Sequence, residues 1–468
     1  MSIVDRVEHL APFEGSRSGT ANLSWGQQWV WDALSKLPDS RHLCINIVVP
    51  IPANRSLSLE QVGEVVAGLV SRFESLRTTY VPDGEGGLRQ HVQRTGRLPV
   101  DVRAVEVFDP DGADSLIADF YETGFEVDEL PVRAVVVADR RGARLVALRF
   151  SHMAIDAWSR TILMGELNAA LGLGDASSPV RSGSADWHPF DQAAYESTEE
   201  GRRACDRSLA FWRRQLHRFP DSLFPTSRRA PDTPPFCEAR MESAAGGAAV
   251  DLLARRWRCS HQSVLMGTVV SLVAAWSDVS GVGLPMIVSN RLTRRAQGMV
   301  GPLAGMAPLY VDVAGRGLRD VVQATAQASA ASIRHGQYEV ARFDAMKQEV
   351  RDERAGAPDT SSFLNVRMHA PLAVAVTDDP AGEDAVARAA RRTTVTWEAG
   401  FDSENVALGI LADIWSDAVS LTLRTDTAIL PKNEVAGILR AMDRVLIAAV
   451  RGETVEQDFV KRELREEG

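Results

Sequence analysis

The chain of 468 residues has no apolar run of the roughly 18 residues needed to cross a bilayer, so a membrane-spanning helix is not expected. Its first 15 residues are charged and lack an apolar core, which argues against a secretion signal. Cysteine is sparse. The four present (Cys44, Cys205, Cys237, Cys259) are scattered and form no Cys-x-x-Cys pair. They read as reduced, mostly buried side chains in a cytoplasmic protein rather than as a disulfide framework. An excess of positive charge is also missing. The net charge of −10 argues against generic nucleic-acid binding. No Gly-rich phosphate loop, zinc-ligand spacing or Gly-x-Ser-x-Gly elbow occurs, so no metal site is expected and those chemistries lack their signatures.

What remains is an ordinary globular composition, 45 % apolar, over a length that suits two or three domains or one two-lobed unit. One stretch organises the rest: Arg149-Phe150-Ser151-His152-Met153-Ala154-Ile155-Asp156-Ala157-Trp158-Ser159. Before it, Ala143 to Phe150 is rich in Val and Leu and reads as a buried strand. After it, Ile162, Leu163, Leu167 and Leu171 recur at helical spacing. His152 therefore falls where a strand ends, and Asp156 where a helix begins and a carboxylate suits the helix dipole. A loop at such a junction can hold a working side chain on a rigid scaffold. On these residues alone two readings stand: a satisfied structural histidine, or a catalytic one.

The spacing Ser-His-x-x-x-Asp-x-Trp-Ser resembles the His-His-x-x-x-Asp-Gly signature of condensation domains from nonribosomal peptide synthetases, members of the chloramphenicol-acetyltransferase-like family. His152 and Asp156 match its second His and its Asp; Ser151 and Ala157 replace its first His and its Gly. Other segments resemble the family in order along the chain. Leu23-Ser24-Trp25-Gly26-Gln27 to Trp31 is similar to its opening helix, with Ser24 as N-cap. Cys44-Ile45-Asn46-Ile47 is similar to its Tyr-Asn-Ile strand, and Leu57 to Glu74 has helical spacing. Arg72-Phe73-Glu74-Ser75-Leu76-Arg77-Thr78-Thr79-Tyr80 is similar to Arg-His-Glu-x-Leu-Arg-Thr-x-Phe, with charges read as structural. Val288-Ser289-Asn290-Arg291 resembles Ser-Gly-Arg, and Phe363-Leu364-Asn365 a late Phe-x-Asn strand. In the segment Met299 to Val311, similar to the family's Ile-Gly-x-Phe-x-Asn-Thr motif, Ala304 or Gly305 stands where bulkier residues are usual, a change expected to alter a substrate tunnel.

The resemblance implies an α/β (α+β two-layer) fold of two chloramphenicol-acetyltransferase-like lobes in a V-shaped pseudo-dimer. The N-terminal lobe is expected over 1–175 and the C-terminal lobe over 187–468. The stretch 172–186, rich in Gly, Ser, Ala and Asp, reads as the linker between them. Residues 371–392 show no period and read as a mobile loop, and 250–257, 263–276 and 431–450 as helices.

The resemblance also implies acyl transfer. A carrier protein, acyl or peptidyl, presents the donor as a thioester on its phosphopantetheine arm, and no cofactor is bound by the chain itself. A small-molecule amine or alcohol acceptor attacks, giving an amide or ester in natural-product biosynthesis. His152 is the implied catalytic residue. Asp156 pairs with Arg291 to shape the loop, and Ser151, Ala157, Trp158, Ser159 and Asn365 belong to the motif and tunnel. Ser151 also resembles the Ser-His-x-x-x-Asp pattern of ring-closing terminal domains. Arg203, Arg207, Arg214 and Arg218 recur on one helix face and are candidates for docking an acidic carrier; the alternative is an ordinary solvated face. No adenylation or carrier module is visible in the sequence, which suits a free-standing or excised unit. Two other functions stand beside this one: an acyl-CoA-dependent acyltransferase, and a non-catalytic domain that recruits other enzymes.

Overall fold

A computed structural model describes residues 3–37, 41–84, 86–174, 186–224, 230–354, 356–374 and 376–465. Packing divides the chain into two units: Met1–Ala204 together with Ser289–Ala304, and Cys205–Val288 together with Gly305–Gly468. The expected linker runs mostly through 175–185, outside the described residues.

In the first unit the strands are β1 (Ile3–Glu14), β2 (Gly19–Asn22), β3 (Ile45–Pro50), β4 (Thr78–Pro82), β5 (Leu88–Val92), β6 (Thr95–Val105), β7 (Val132–Asp139) and β8 (Gly142–Phe150). The helices are α1 (Trp25–Leu34), α2 (Leu59–Arg72), α3 (Ala113–Tyr121), α4 (Ala157–Ala170) and α5 (Pro189–Glu196); α6 (Glu199–Leu216) then runs on across residue 204. A five-stranded sheet has the order β1-β6-β7-β8-β3, antiparallel except for the β6–β7 pair. A smaller antiparallel sheet has the order β2-β5-β4.

The continuous apolar run of β8 follows from burial on both faces. Val146 and Leu148 pack with Val66, Val70, Ile162 and Leu163 from α2 and α4. Leu145 and Ala147, pointing the other way, pack with Leu116, Ile117 and Phe120 from α3. The strand that delivers residue 151 is therefore fixed from two sides. The N-terminal segment, unremarkable in the sequence except for its charge, forms the long edge strand β1.

The second unit contains β9 (Phe236–Ser243), β10 (Gly281–Val288), β11 (Gly305–Asp312), β12 (Ser362–Met368), β13 (Thr394–Phe401), β14 (Leu408–Ile414) and β15 (Val419–Asp426). They form one sheet, β11-β10-β12-β14-β15-β9-β13. Its helices are α7 (Ala244–Trp257), α8 (His261–Ser277), α10 (Leu318–Ser332), α11 (Val340–Arg354), α12 (Pro380–Ala389), α13 (Lys432–Val450) and α14 (Gln457–Arg465), while α9 (Arg294–Gly298) lies in the segment that belongs to the first unit. Helix α8 is buried along nearly its whole length, as its apolar composition requires.

Two readings of the sequence need correction. Residues 371–392 are not simply a loop, because α12 occupies their second half. Asp379 caps that helix by accepting the Gly382 N–H at 2.8 Å, Pro380 opens its first turn, and Val386 is buried in the unit's core. Helix α7 begins at Ala244 rather than near Val250; its first turns are Ala and Gly, which carry no periodic signal, and Ser243 caps them. Among the described residues no helix is long and apolar enough to cross a membrane. Each unit is thus a mixed sheet flanked by helices, the two-lobed α/β class expected from the sequence.

Candidate active site

Between the end of β8 and the start of α4, residues 151–156 make a tight loop. Ser151 donates its N–H to the Pro131 carbonyl at 3.0 Å, and its own carbonyl accepts from Ala154 N at 3.0 Å. The Ser151 hydroxyl accepts the Met153 N–H at 3.3 Å. His152 is partly buried, and its Nδ1 lies 2.8 Å from the Ile155 carbonyl oxygen. A carbonyl can only accept, so Nδ1 carries a proton, and of the two neutral tautomers this contact selects the one with its lone pair on Nε2. The ring lines a cavity of about 150 Å³ within the first unit, together with Trp31, Leu34, Cys44, Tyr80 and Val127.

Asp156 is placed quite differently. It is buried and caps α4, accepting from Ser159 N and Ser159 Oγ, both at 2.8 Å, through Oδ1. Arg291 Nη2 donates to Oδ1 at 2.7 Å and to Oδ2 at 2.8 Å. The Leu303 and Ala304 N–H groups reach Oδ2 at 3.1 and 3.2 Å. Burial pushes this carboxyl up, but the Arg291 charge and the Ser159 bonds outweigh it and hold it below the usual carboxylate range. Both oxygens are therefore occupied, and the side chain is a structural knot tying the His152 loop to residues 299–304. Arg291 adds Nη1 bonds to the Ala296 and Met299 carbonyls.

Two positions where the family has glycine have local explanations. Ala157 is the first residue of α4, in helical backbone, so nothing there requires glycine. Asn290 stands where the family has Gly before the Arg; it adopts φ 56°, a left-handed conformation that asparagine tolerates, and its Nδ2 donates to Leu303 O at 2.9 Å.

The model of the condensation domain matches residues 17–365 of this chain, well over half its length. The chain belongs to the condensation-domain family. Among curated proteins it is similar to a probable non-canonical nonribosomal peptide synthetase of Salinispora arenicola, CymA (26 % identity over 60 % of this chain and 4 % of that protein). It is also similar to the phosphinothricin tripeptide synthetase PhsC of Streptomyces viridochromogenes (24 % over 63 % of this chain and 28 % of that protein). The chain thus spans only a small part of these relatives. Among solved structures, the SgcC5 protein of Streptomyces globisporus superposes with TM-score 0.68 at 18 % identity, covering 93 % of this chain and all of that one. The X-domain from teicoplanin biosynthesis does so with TM-score 0.67 at 15 % identity, covering 95 % of this chain and 98 % of that one.

In this condensation domain Ser151, His152, Asp156, Ala157, Trp158, Ser159 and Arg291 all lie in the first unit. Trp158 is exposed and donates Nε1–H to Gln297 O at 3.0 Å. Asn365 sits in β12 of the second unit, in register with Leu411 of β14. The four arginines are exposed but not equivalent. Arg203 pairs with Glu199 at 2.5 Å, Arg214 lies over Phe211, and Arg218 falls beyond the end of α6 with its guanidinium over Tyr310. The charges of the 72–80 motif are structural: Arg17 grips Glu74 at 2.6 Å and Asp191 at 2.7 Å, and buried Arg77 donates to the carbonyls of Arg17 and Gln93. The sequence reading passed over two parts of the site. Backbone N–H groups of Leu303 and Ala304 carry no side-chain signal at all. The hydroxyl of Tyr80 does: it is the one polar addition at the last position of that motif.

Proposed function

We propose that this condensation domain joins an acyl or aminoacyl group, delivered as a thioester on a carrier protein's phosphopantetheine arm, to an acceptor amine, or to a hydroxyl. The arm belongs to the donor substrate, and the domain supplies alignment and a base. The observation that carries the reading is the His152 ring, with Nδ1–H fixed on the Ile155 carbonyl and Nε2 left as an acceptor beside a cavity. The acceptor nitrogen attacks the thioester carbon, the C–N bond forms and the C–S bond breaks. The proton lost by the nitrogen passes to His152 Nε2 and from there to the departing thiolate. Alignment of the two substrates can contribute about 7–11 kcal/mol, and the positioned base about 10²–10⁴-fold in rate. Asp156 and Arg291 hold the loop and do not touch substrate in this scheme.

For carrier docking we favour Arg207 and Arg214, both exposed within α6, over Arg203, which is paired with Glu199, and Arg218, which lies beyond the end of the helix; Arg214 rests on its own helix, over Phe211 and against the Ala210 carbonyl. Burial and then the charges of Arg214, Arg207 and Arg334 push the nearby His335 down, which supports a locally positive field there.

The reading is tested with a panel of carrier proteins and the corresponding CoA thioesters, each carrying the same acyl groups. Intact-mass detection should find release from carriers in the presence of an amine acceptor. Turnover of the CoA thioesters alone would replace the donor assignment. Binding to carriers without release from any of them would favour a recruitment role.

A further inference from the structure

We propose that Tyr80 is a positioning residue for His152, an inference that rests on the condensation reading above. Tyr80 is buried in β4, and its hydroxyl donates to the Met153 carbonyl at 2.6 Å. Met153 directly follows His152, so this bond holds the loop on one side while the Ile155 carbonyl holds the imidazole on the other. The direction of the Tyr80 bond is itself fixed. Ser24 N–H donates to Gln27 Oε1 at 2.8 Å as part of the capping box of α1, and this turns Gln27 Nε2 toward the Tyr80 oxygen at 3.3 Å. Because Gln27 donates to that oxygen, the phenol proton is free to point at Met153. Burial pushes the phenol up, against a smaller opposing pull from Gln27, so it stays a donor. A helix cap, a buried amide, a phenol and a loop carbonyl thus form one chain ending at the candidate base. The Tyr80 ring would fill its place equally well as Phe; only the hydroxyl is needed for this role. That places the effect of its loss on the His152 ring rather than on the core.

The test is Tyr80→Phe in the full chain, read in two ways. In carrier-dependent turnover, kcat should fall about 5–10-fold, the loss of one buried hydrogen bond, with the acceptor KM unchanged. Placed in a His152→Ala background, Tyr80→Phe should cause no further loss of rate, because it acts through the imidazole. The second reading needs no substrate. With histidine-selective ¹⁵N labelling and assignment by the His152→Ala difference, wild type should show a slowly exchanging His152 Nδ1–H that Tyr80→Phe makes fast. Gln27→Glu, which keeps the cap acceptor but turns the phenol proton away from Met153, should act in the same direction. An unchanged Nδ1–H and kcat in a folded Tyr80→Phe protein, even with a lowered melting temperature, would overturn the positioning role. If wild type turns over no carrier-bound donor, the condensation reading fails, and the Nδ1–H exchange alone decides Tyr80.

Discussion

His152 and Asp156 stand four residues apart, and their surroundings leave them opposite freedoms. The imidazole has one nitrogen committed and one available, whereas the carboxylate has both oxygens committed to donors from three segments. Asp156→Ala should therefore act on stability first. Leaving Arg291 charged and buried without its partner costs about 3–5 kcal/mol. Arg291→Ala added to it should cost much less than Arg291→Ala alone, and thermal unfolding of the three variants measures the difference. Additive losses would mean that the pair is not coupled. The pH dependence has a definite sign. The folded-state pKa of Asp156 lies below its unfolded value, so its contribution is present above about pH 4 and is lost as pH falls through the folded value. Asp156→Ala should thus lower the melting temperature at pH 7 more than at pH 3. At this scale the sequence is partly readable. A carboxylate at a helix start and an Arg after a strand are visible as types. That asparagine can stand at position 290 in place of a glycine depends on its tolerance of a left-handed φ of 56°, and that Tyr80 reaches the His152 loop depends on a side-chain contact between segments 73 residues apart.

At the scale of elements, what was legible follows from periodicity and capping. Helices α1, α2 and α4 announce themselves through spaced apolar residues, with Ser24 and Asp156 marking the starts of α1 and α4; the Ser58 cap that starts α2 was passed over. Strands β7 and β8 show as apolar runs because both sheet faces are covered. The strand β1 was not legible, since an edge strand with one solvated side carries charge and little alternation. Helix α12 could have been found from Asp379-Pro380 followed by Glu383, a cap, a first-turn proline and an acid in the first turn. The helix α6 reading bears directly on function. Cys205, Leu209, Trp212 and Leu216 are its buried face, and Arg207 and Arg214 are exposed. Reversing both charges, Arg207→Glu with Arg214→Glu, should weaken carrier binding at low salt and matter less at high salt, where the Debye length shrinks. Unchanged carrier affinity at low ionic strength would place docking elsewhere.

At the scale of the whole chain, the family match over 17–365 draws on both packing units, and β13, β14, β15 and α13 beyond it belong to the sheet and core of the second. The account places its catalytic weight on one atom, His152 Nε2, and a single-turnover experiment addresses it most directly. The full chain is mixed with an acyl-loaded carrier protein and saturating amine, and amide formation is followed by intact mass for wild type and for His152→Ala of matched folding. The account predicts a chemical step at least about 10²-fold slower in the variant, not recovered by raising the acceptor concentration. Amide formation by His152→Ala within a few-fold of wild type would contradict it.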